Sequence, residues 1–342
     1  MSNQAYIKAI ASYLPEKIEF NNPISRLTKK TGIYERHIAN IDECASDMAV
    51  RAAENLFSQT DTSRDNIDFI ILCTQSPDYF LPTTACLLQH RLGLSKKCGA
   101  FDFNLGCSGY IYGLSIAKGL IETDQARNVL LLTAETYSKF IHPEDSTVRP
   151  LFGDGATATL ISTAPTVQTG LHSFVFGTDG GGGEHLIVPA GAVRNPAFKT
   201  PQINQVDEAG NQRTNYHLFM NGGAISNFAL EVVPDTVEKI LEKSQLTKKN
   251  IDLYIFHQAN TFMLKFLQEK CGLEDSFYWN DPKNCGNTVS SSIPLAIDQF
   301  LHSKPELPIL KRVMLLGFGV GLSWGGCIAD LSAMASSKNF NV

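Results

Sequence analysis

Apolar positions along this chain fall into short continuous runs, and the runs come in pairs. NIDFIILCTQ begins at Asn66 and NIDLYIFHQA at Asn250; RNVLLLT begins at Arg127 and KRVMLLG at Lys311, and both pairs stand 184 positions apart. Runs of this length, bounded by turn residues, predict strands covered on two faces. Each NID run follows a polar loop, SQTDTSRD or KSQLTKK, that ends a predicted helix. After each comes another predicted helix closing at a glycine, TTACLLQHRLG or FMLKFLQEKCG. A glycine-containing turn and a last strand, ATATLIS or CIADLS, follow each RNV or KRV run. One order of elements used twice predicts an internal duplication into halves 1–165 and 166–342, divided in STAPTVQTG. The two sheets are expected side by side with buried helices between them.

Composition narrows the class. A chain of 342 residues is long for one core, which agrees with two similar halves. A net charge of −5 gives no electrostatic footprint for nucleic acid, and no basic cluster suggests an anionic membrane. The opening MSNQAYIKAIASYLPEKIEF lacks the apolar run of a secretory signal. The most apolar segment, VMLLGFGVGLSWGGCIADL, is glycine-rich and reads as two strands around a turn, not a membrane span. The eight cysteines show no CxxC pair and no zinc-ligand spacing, so no metal site is expected, and reduced thiols in a cytoplasmic protein are.

Candidate chemistry begins at FNLGCSGYIYGL (103–114). No charge occurs from Leu105 to Ala117, which predicts a helix buried on all sides with Cys107 at its N-terminus. Such a cysteine is either core filler or a nucleophile whose thiolate the helix dipole favours. His257 closes the second NID strand, and Asn287 precedes a helix that starts with three serines. Each has a plain reading too, as a satisfied structural histidine and as an N-cap. Ligands gather at the carboxyl ends of strands in sheets of this kind, and pseudo-symmetry brings those ends to a common centre. Cys107, His257 and Asn287 are therefore expected to be neighbours. The glycine-rich segment 177–196 opens no predicted helix and lacks the Lys-Ser/Thr of a phosphate-binding loop; a flexible covering or interface loop is expected.

The motifs GCSGYIYGL, FGDGA (152–156), HQAN (257–260), NCGNTVSSS (284–292) and GFGVGLSWG (317–325) together resemble the signature set of the β-ketoacyl-acyl carrier protein synthase III family, of the thiolase-like superfamily. The resemblance implies an α/β thiolase-like fold, two duplicated βα halves in a five-layered α-β-α-β-α sandwich. It implies an acyltransferase that loads an acyl group on Cys107 and condenses it, with loss of carbon dioxide, with a malonyl thioester. His257 and Asn287 would hold the enolate. The backbone N–H groups of Cys107 and Val320 would form the oxyanion hole. Phe318 would position the malonyl group, Asn260 would orient His257 or its water network, and Gly222 would line the pantetheine arm. No cofactor beyond the coenzyme A or phosphopantetheine carried by the substrates is implied. The implied partners are an acyl carrier protein and a second copy of the chain, with Leu81 in YFLPTT bordering the partner's acyl pocket.

Three departures bear on the substrate. The family's TrpxxxArg pair at the coenzyme A adenine falls on Arg26 and Lys30. The arginine many members use to dock carrier protein is Phe262, with Lys265 nearby. The arginine after the PxD segment is Ser146, with Arg149 close by. These point to a specialised member, in secondary metabolism or surface-sugar acylation, more than to fatty-acid initiation. Cys327 lies in the predicted last strand and reads as core, not as a second reactive thiol. Two other readings stay open at this level: a non-condensing acyltransferase that passes the acyl group to an oxygen or nitrogen acceptor, and a non-catalytic partner subunit, which would be expected to lack the nucleophile.

Overall fold

The computed structural model describes residues 3–164, 170–207, 210–303 and 309–337. Ten strands form two five-stranded sheets. The first half supplies β1 (Ala5–Tyr13), β2 (Phe69–Cys73), β3 (Gly99–Phe103), β4 (Asn128–Glu135) and β5 (Gly155–Thr163). The second supplies β6 (Leu171–Thr178), β7 (Leu253–Phe256), β8 (Tyr278–Trp279), β9 (Val313–Gly319) and β10 (Ser323–Ala329). The strand orders, β1-β5-β4-β2-β3 and β6-β10-β9-β7-β8, are the same pattern twice. The proposed division near residue 165 lies outside the described residues.

The repeat extends to register. Phe69 of β2 pairs with Val129 of β4, and the residues 184 positions on, Leu253 and Val313, pair in the same parallel ladder of the other sheet. The aspartate of each NID run explains why. Asp68 accepts the backbone N–H groups of Arg127 and Asn128 at 2.7 and 3.0 Å. Asp252 accepts those of Lys311 and Arg312 at 3.0 and 2.8 Å. Each carboxylate thus satisfies two donors where the neighbouring strand begins and pins its register. Asp252→Ala and Asp68→Ala are each expected to cost about 1–2 kcal/mol, read as a lower midpoint in urea unfolding with unchanged slope.

Eight helices occur among the described residues: α1 (Arg26–Thr31), α2 (Ala45–Ser58), α3 (Thr84–Arg91), α4 (Gly109–Glu122), α5 (Gly222–Ser244), α6 (Thr261–Cys271), α7 (Ser292–Ser303) and α8 (Ser332–Ser337). Alternate residues of each strand face opposite layers. Ile71, Leu131, Ile255 and Leu315 pack inward against Ile111 and Leu114 of α4 and Ile293 and Ile297 of α7. Ile70, Leu72 and Leu130 pack outward against Met48, Ala52 and Leu56 of α2 and Leu88 of α3. Tyr254, Phe256, Met314 and Leu316 meet Val233, Val237 and Ile240 of α5 and Leu264 and Leu267 of α6. The layers therefore run α-β-α-β-α, and burial on both faces is why the strands read as unbroken apolar runs.

Two expectations need correction. Helix α4 is not buried all round: Ile116 and Gly119 reach the surface, where the second half of the helix emerges from between the sheets. Segment 177–196 is a loop only from residue 188 onward, and Leu186 before it lines the cavity described below. The segment ends β6, forms a 3₁₀ turn over Gly180–His185, and enters a short strand, Leu186–Ile187, paired with Phe219–Met220. Asp179 and Leu322 exchange backbone hydrogen bonds of 2.9 Å, which ties the turn to the strand connection after Val320. No described helix is long and apolar enough to cross a membrane. Cys327 is fully buried between the sheets, and no group of residues suited to a metal ion occurs among the described residues.

Candidate active site

Cys107 lies in the turn between β3 and α4 and is almost fully buried. The GFG sequence of β9 exists to let backbone pass close to it. A Cβ on Gly317 would stand 2.5 Å from the Cys107 carbonyl oxygen, and one on Gly319 would stand 2.8 Å from its sulfur. Only glycine permits that approach. Burial, followed by the charge of Glu135, pushes the Cys107 thiol up to about 12, while the backbone N–H groups of Cys107 and Val320 act on the sulfur in the opposite direction. A helix dipole supplies at most about 2 kcal/mol, roughly one and a half pH units of stabilisation. It cannot cancel such a rise. With no substrate bound, burial therefore favours the neutral thiol over the thiolate at this position.

His257 follows β7, and its backbone N–H donates to the Leu316 carbonyl of β9 at 2.8 Å. The ring is 2% exposed, which holds the imidazole down to about 3 by desolvation alone, so it is neutral. Its Nδ1 lies 2.6 Å from the Ser292 hydroxyl at the start of α7, and its ring meets Phe318 edge to face at 5.5 Å. Asn260 does not orient the imidazole by contact. Its side chain caps α6 by accepting the Met263 N–H at 2.9 Å, and no hydrogen bond joins it to His257. The group on the ring is Ser292, legible in the sequence only as one serine in a run of three.

Asn287 is held by backbone from a distant motif. Its N–H donates to the Leu151 carbonyl at 2.9 Å, and its own carbonyl accepts the Gly153 N–H at 3.1 Å. FGDGA and NCGNT thus pack main chain to main chain. A Cβ on Gly153 would come within 2.1 Å of the Cys285 carbonyl, so the motif glycine is a packing requirement. Asp154 secures the same turn by accepting from Ala39 N–H and from both the N–H and hydroxyl of Ser138. The Asn287 side chain is no helix N-cap. Its Oδ1 accepts the Val289 N–H at 2.9 Å, which leaves the Nδ2 edge as a donor.

One cavity of about 310 Å³ reaches His257 and Asn287. Leu27, Lys30 and Thr31 of α1 and Phe262 of α6 line its mouth; His257, Asn287, Phe318 and Gly319 line its base. The Cys107 sulfur sits behind Gly319, among Tyr137, Ile141, Phe152, Leu186 and Val289. The cavity therefore reaches two of the sequence-predicted side chains, His257 and Asn287, directly, and Gly319, the glycine against which the Cys107 sulfur packs. Such a site can hold a sulfur nucleophile, a neutral imidazole and a carboxamide donor at the end of a solvent channel.

The predicted peripheral residues divide. Gly222 and Asn260 line the cavity, as does Lys30, whose ammonium lies 4.5 Å over the Phe262 ring. Arg26 is exposed on α1 and does not line it. Lys265 is exposed on α6. Ser146 is engaged by Asn211, its hydroxyl donating to Oδ1 at 2.6 Å, and Arg149 pairs with Glu19. Leu81 does not line this chain's cavity and is 86% exposed beside Tyr79 and Phe80, which are 61% and 79% exposed.

Comparison with known proteins agrees with this architecture. Residues 101–180 match the family model described as 3-oxoacyl-[acyl-carrier-protein (ACP)] synthase III, and residues 241–331 match that of its C-terminal part. A β-ketoacyl-[acyl-carrier-protein] synthase III of Natranaerobius thermophilus is 36% identical, over 96% of this chain and 99% of the relative. A putative 3-oxoacyl-[acyl-carrier-protein] synthase 3 of Campylobacter jejuni is 35% identical over 91% of this chain and 87% of the relative. A crystal structure of 3-oxoacyl-(acyl-carrier-protein) synthase III superposes with a TM-score of 0.92 at 47% identity, covering 96% of this chain and 99% of the other. A crystal structure of a 3-oxoacyl-(acyl-carrier protein) synthase of Burkholderia xenovorans gives 0.88 at 35% identity, with 98% and 96% covered.

Proposed function

The chain belongs to the 3-oxoacyl-[acyl-carrier-protein] synthase III family, and on that premise we propose that it is an acyltransferase whose condensation runs through Cys107, His257 and Asn287. In the first half-reaction the Cys107 sulfur attacks the carbonyl carbon of an acyl thioester. A new sulfur–carbon bond forms, the old one breaks, and the departing thiolate takes up the proton the cysteine gives away. The N–H groups of Cys107 and Val320 donate to the oxyanion of the intermediate. That both act on the sulfur supports this pairing.

In the second half-reaction a malonyl thioester loses carbon dioxide, leaving an enolate. Its oxygen accepts hydrogen bonds from His257 Nε2–H and Asn287 Nδ2–H. The enolate carbon then attacks the acyl carbonyl, the sulfur–carbon bond breaks, and Cys107 leaves as a thiolate that regains its proton from solvent. The enolate role requires the imidazole proton on Nε2, and the Ser292 hydroxyl donating to Nδ1 is the arrangement that puts it there. A neutral ring serves as a donor without first being protonated. Phe318 walls the malonyl position edge-on to His257.

The substrate arm enters between α1 and α6 and passes Gly222, with Lys30 and Phe262 at the mouth. That arm is the pantetheine of coenzyme A or of an acyl carrier protein. The exposed run Tyr79-Phe80-Leu81 supports a homodimer in which this segment borders the partner's acyl pocket. The eight free thiols support a reducing, cytoplasmic setting.

One observation carries the reading: a single channel from solvent ends at His257, Asn287 and the backbone that covers the Cys107 sulfur. The test is product stoichiometry. With an acyl thioester and malonyl-carrier protein, one carbon dioxide is expected per 3-oxoacyl thioester formed. Acyl transfer to an oxygen or nitrogen acceptor with no carbon dioxide released would refute condensation in favour of the non-condensing reading.

A further inference from the structure

Among the buried acids that the steps above do not use, one stands beside the nucleophile turn. Glu135 ends β4 and is fully buried, and its hydrogen-bond partners are all neutral. One carboxyl oxygen accepts the Gln75 N–H at 3.0 Å and the Ser76 hydroxyl at 3.3 Å; the other accepts the Ser290 hydroxyl at 2.7 Å. An acid so placed is costly compared with a neutral side chain of like shape, which directs attention to what its partners do.

Both arms lead to the same point on the nucleophile turn. Gln75 donates from Nε2 to Asn104 at 3.1 Å and accepts the Tyr137 hydroxyl at 2.7 Å. Its Oε1 lies 2.6 Å from where a Cβ on Gly106 would stand, and Gly106 precedes Cys107. On the other arm, Ser290 follows Val289, whose φ of +54° is one that β-branched residues avoid. Such strain persists only where neighbouring contacts hold it. Val289 donates its N–H to Asn287 Oδ1, and its Cγ1 stands 3.2 Å from the same point over Gly106. One arm belongs to the first half of the chain, the other to the second.

We propose that Glu135 is a positioning residue of the condensing site: its carboxyl ties the Asn287–Ser290 turn to the Gln75–Ser76 turn, and so sets the Asn287 amide in place beside Cys107. This rests on the roles assigned above and deepens them. The titratable groups that face the carboxyl are Cys73, Cys107, Tyr137 and Asp154, and none is a cation.

The two links can be cut separately in the full chain, with circular dichroism reporting the fold. Decarboxylation of malonyl-coenzyme A reads the Asn287 side, and peptide-resolved alkylation by iodoacetamide reads the Cys107 thiol. Ser290→Ala is expected to slow decarboxylation at saturating thioester at least tenfold, with KM within threefold and the alkylation rate of Cys107 within threefold. Glu135→Gln is expected to slow decarboxylation similarly, with the alkylation rate of Cys107 again within threefold. Wild-type decarboxylation in both variants would overturn the proposal. So would an equal fall in both readouts for Ser290→Ala, which would mean a merely structural tie. If Asn287→Ala itself decarboxylated at the wild-type rate, the assigned role of Asn287 would fail first, and the two failures are thereby told apart.

Discussion

Replacing Cys107 by alanine is expected to abolish the acyl-enzyme and to lower overall condensation by at least about 10⁴-fold, the scale seen when a covalent nucleophile is removed. Among the described residues no other cysteine thiol stands against Gly319 at the channel's end. Cys73 is close by, but its thiol is fully buried and directed at the Leu105 carbonyl, 3.0 Å away. Burial keeps it neutral, and a Cβ on Gly109 would lie 2.3 Å from its sulfur, so no acyl group fits there. Intact-mass spectrometry after incubation with an acyl thioester decides the matter. The increment should be present in the wild type and absent in the variant, while malonyl decarboxylation, which depends on His257 and Asn287, should survive. An increment of equal size in Cys107→Ala would move the acyl group to another residue and end the mechanism proposed for this chain.

His257→Ala should give the complementary result, with decarboxylation about 10²–10³-fold slower, the cost typical of losing one oxyanion donor in a dry site, and acylation of Cys107 largely kept. The imidazole also couples the site to pH. Its folded pKa near 3 lies below the ordinary value of 6.5, so the unfolded chain takes up the proton first as pH falls. The stability tied to a neutral ring is complete above about pH 6.5 and is lost progressively down to about 3. Wild type should therefore lose more stability than His257→Ala between pH 7 and pH 4, seen in urea midpoints at the two pH values. Equal losses would mean that the ring is not held neutral.

Much of this molecule was legible before any coordinates. The duplication, its offset and its sequential order of elements follow from local patterns, because a strand covered on both faces must be apolar throughout; that Asp68 and Asp252 impose one register in both halves emerged only from the structure. Cys107, His257 and Asn287 stood out because each ends an element beside small residues. The glycines of GFG and FGDG were visible as motifs, although their reason, the passage of one backbone against another, was not.

What only the tertiary structure decided arises from distance through space. Ser292 lies 35 positions from the ring it contacts, and Ser290 lies 155 from Glu135. No periodicity links such pairs. Which face of α1 meets the channel separated Lys30 from Arg26, and the anchoring of segment 177–196 needed its partner Leu322. The charge states of Cys107 and His257 belong to the same class. A side chain's type sets its ordinary pKa, but the exclusion of water between two sheets sets the actual one, and that exclusion exists only when the halves have packed together.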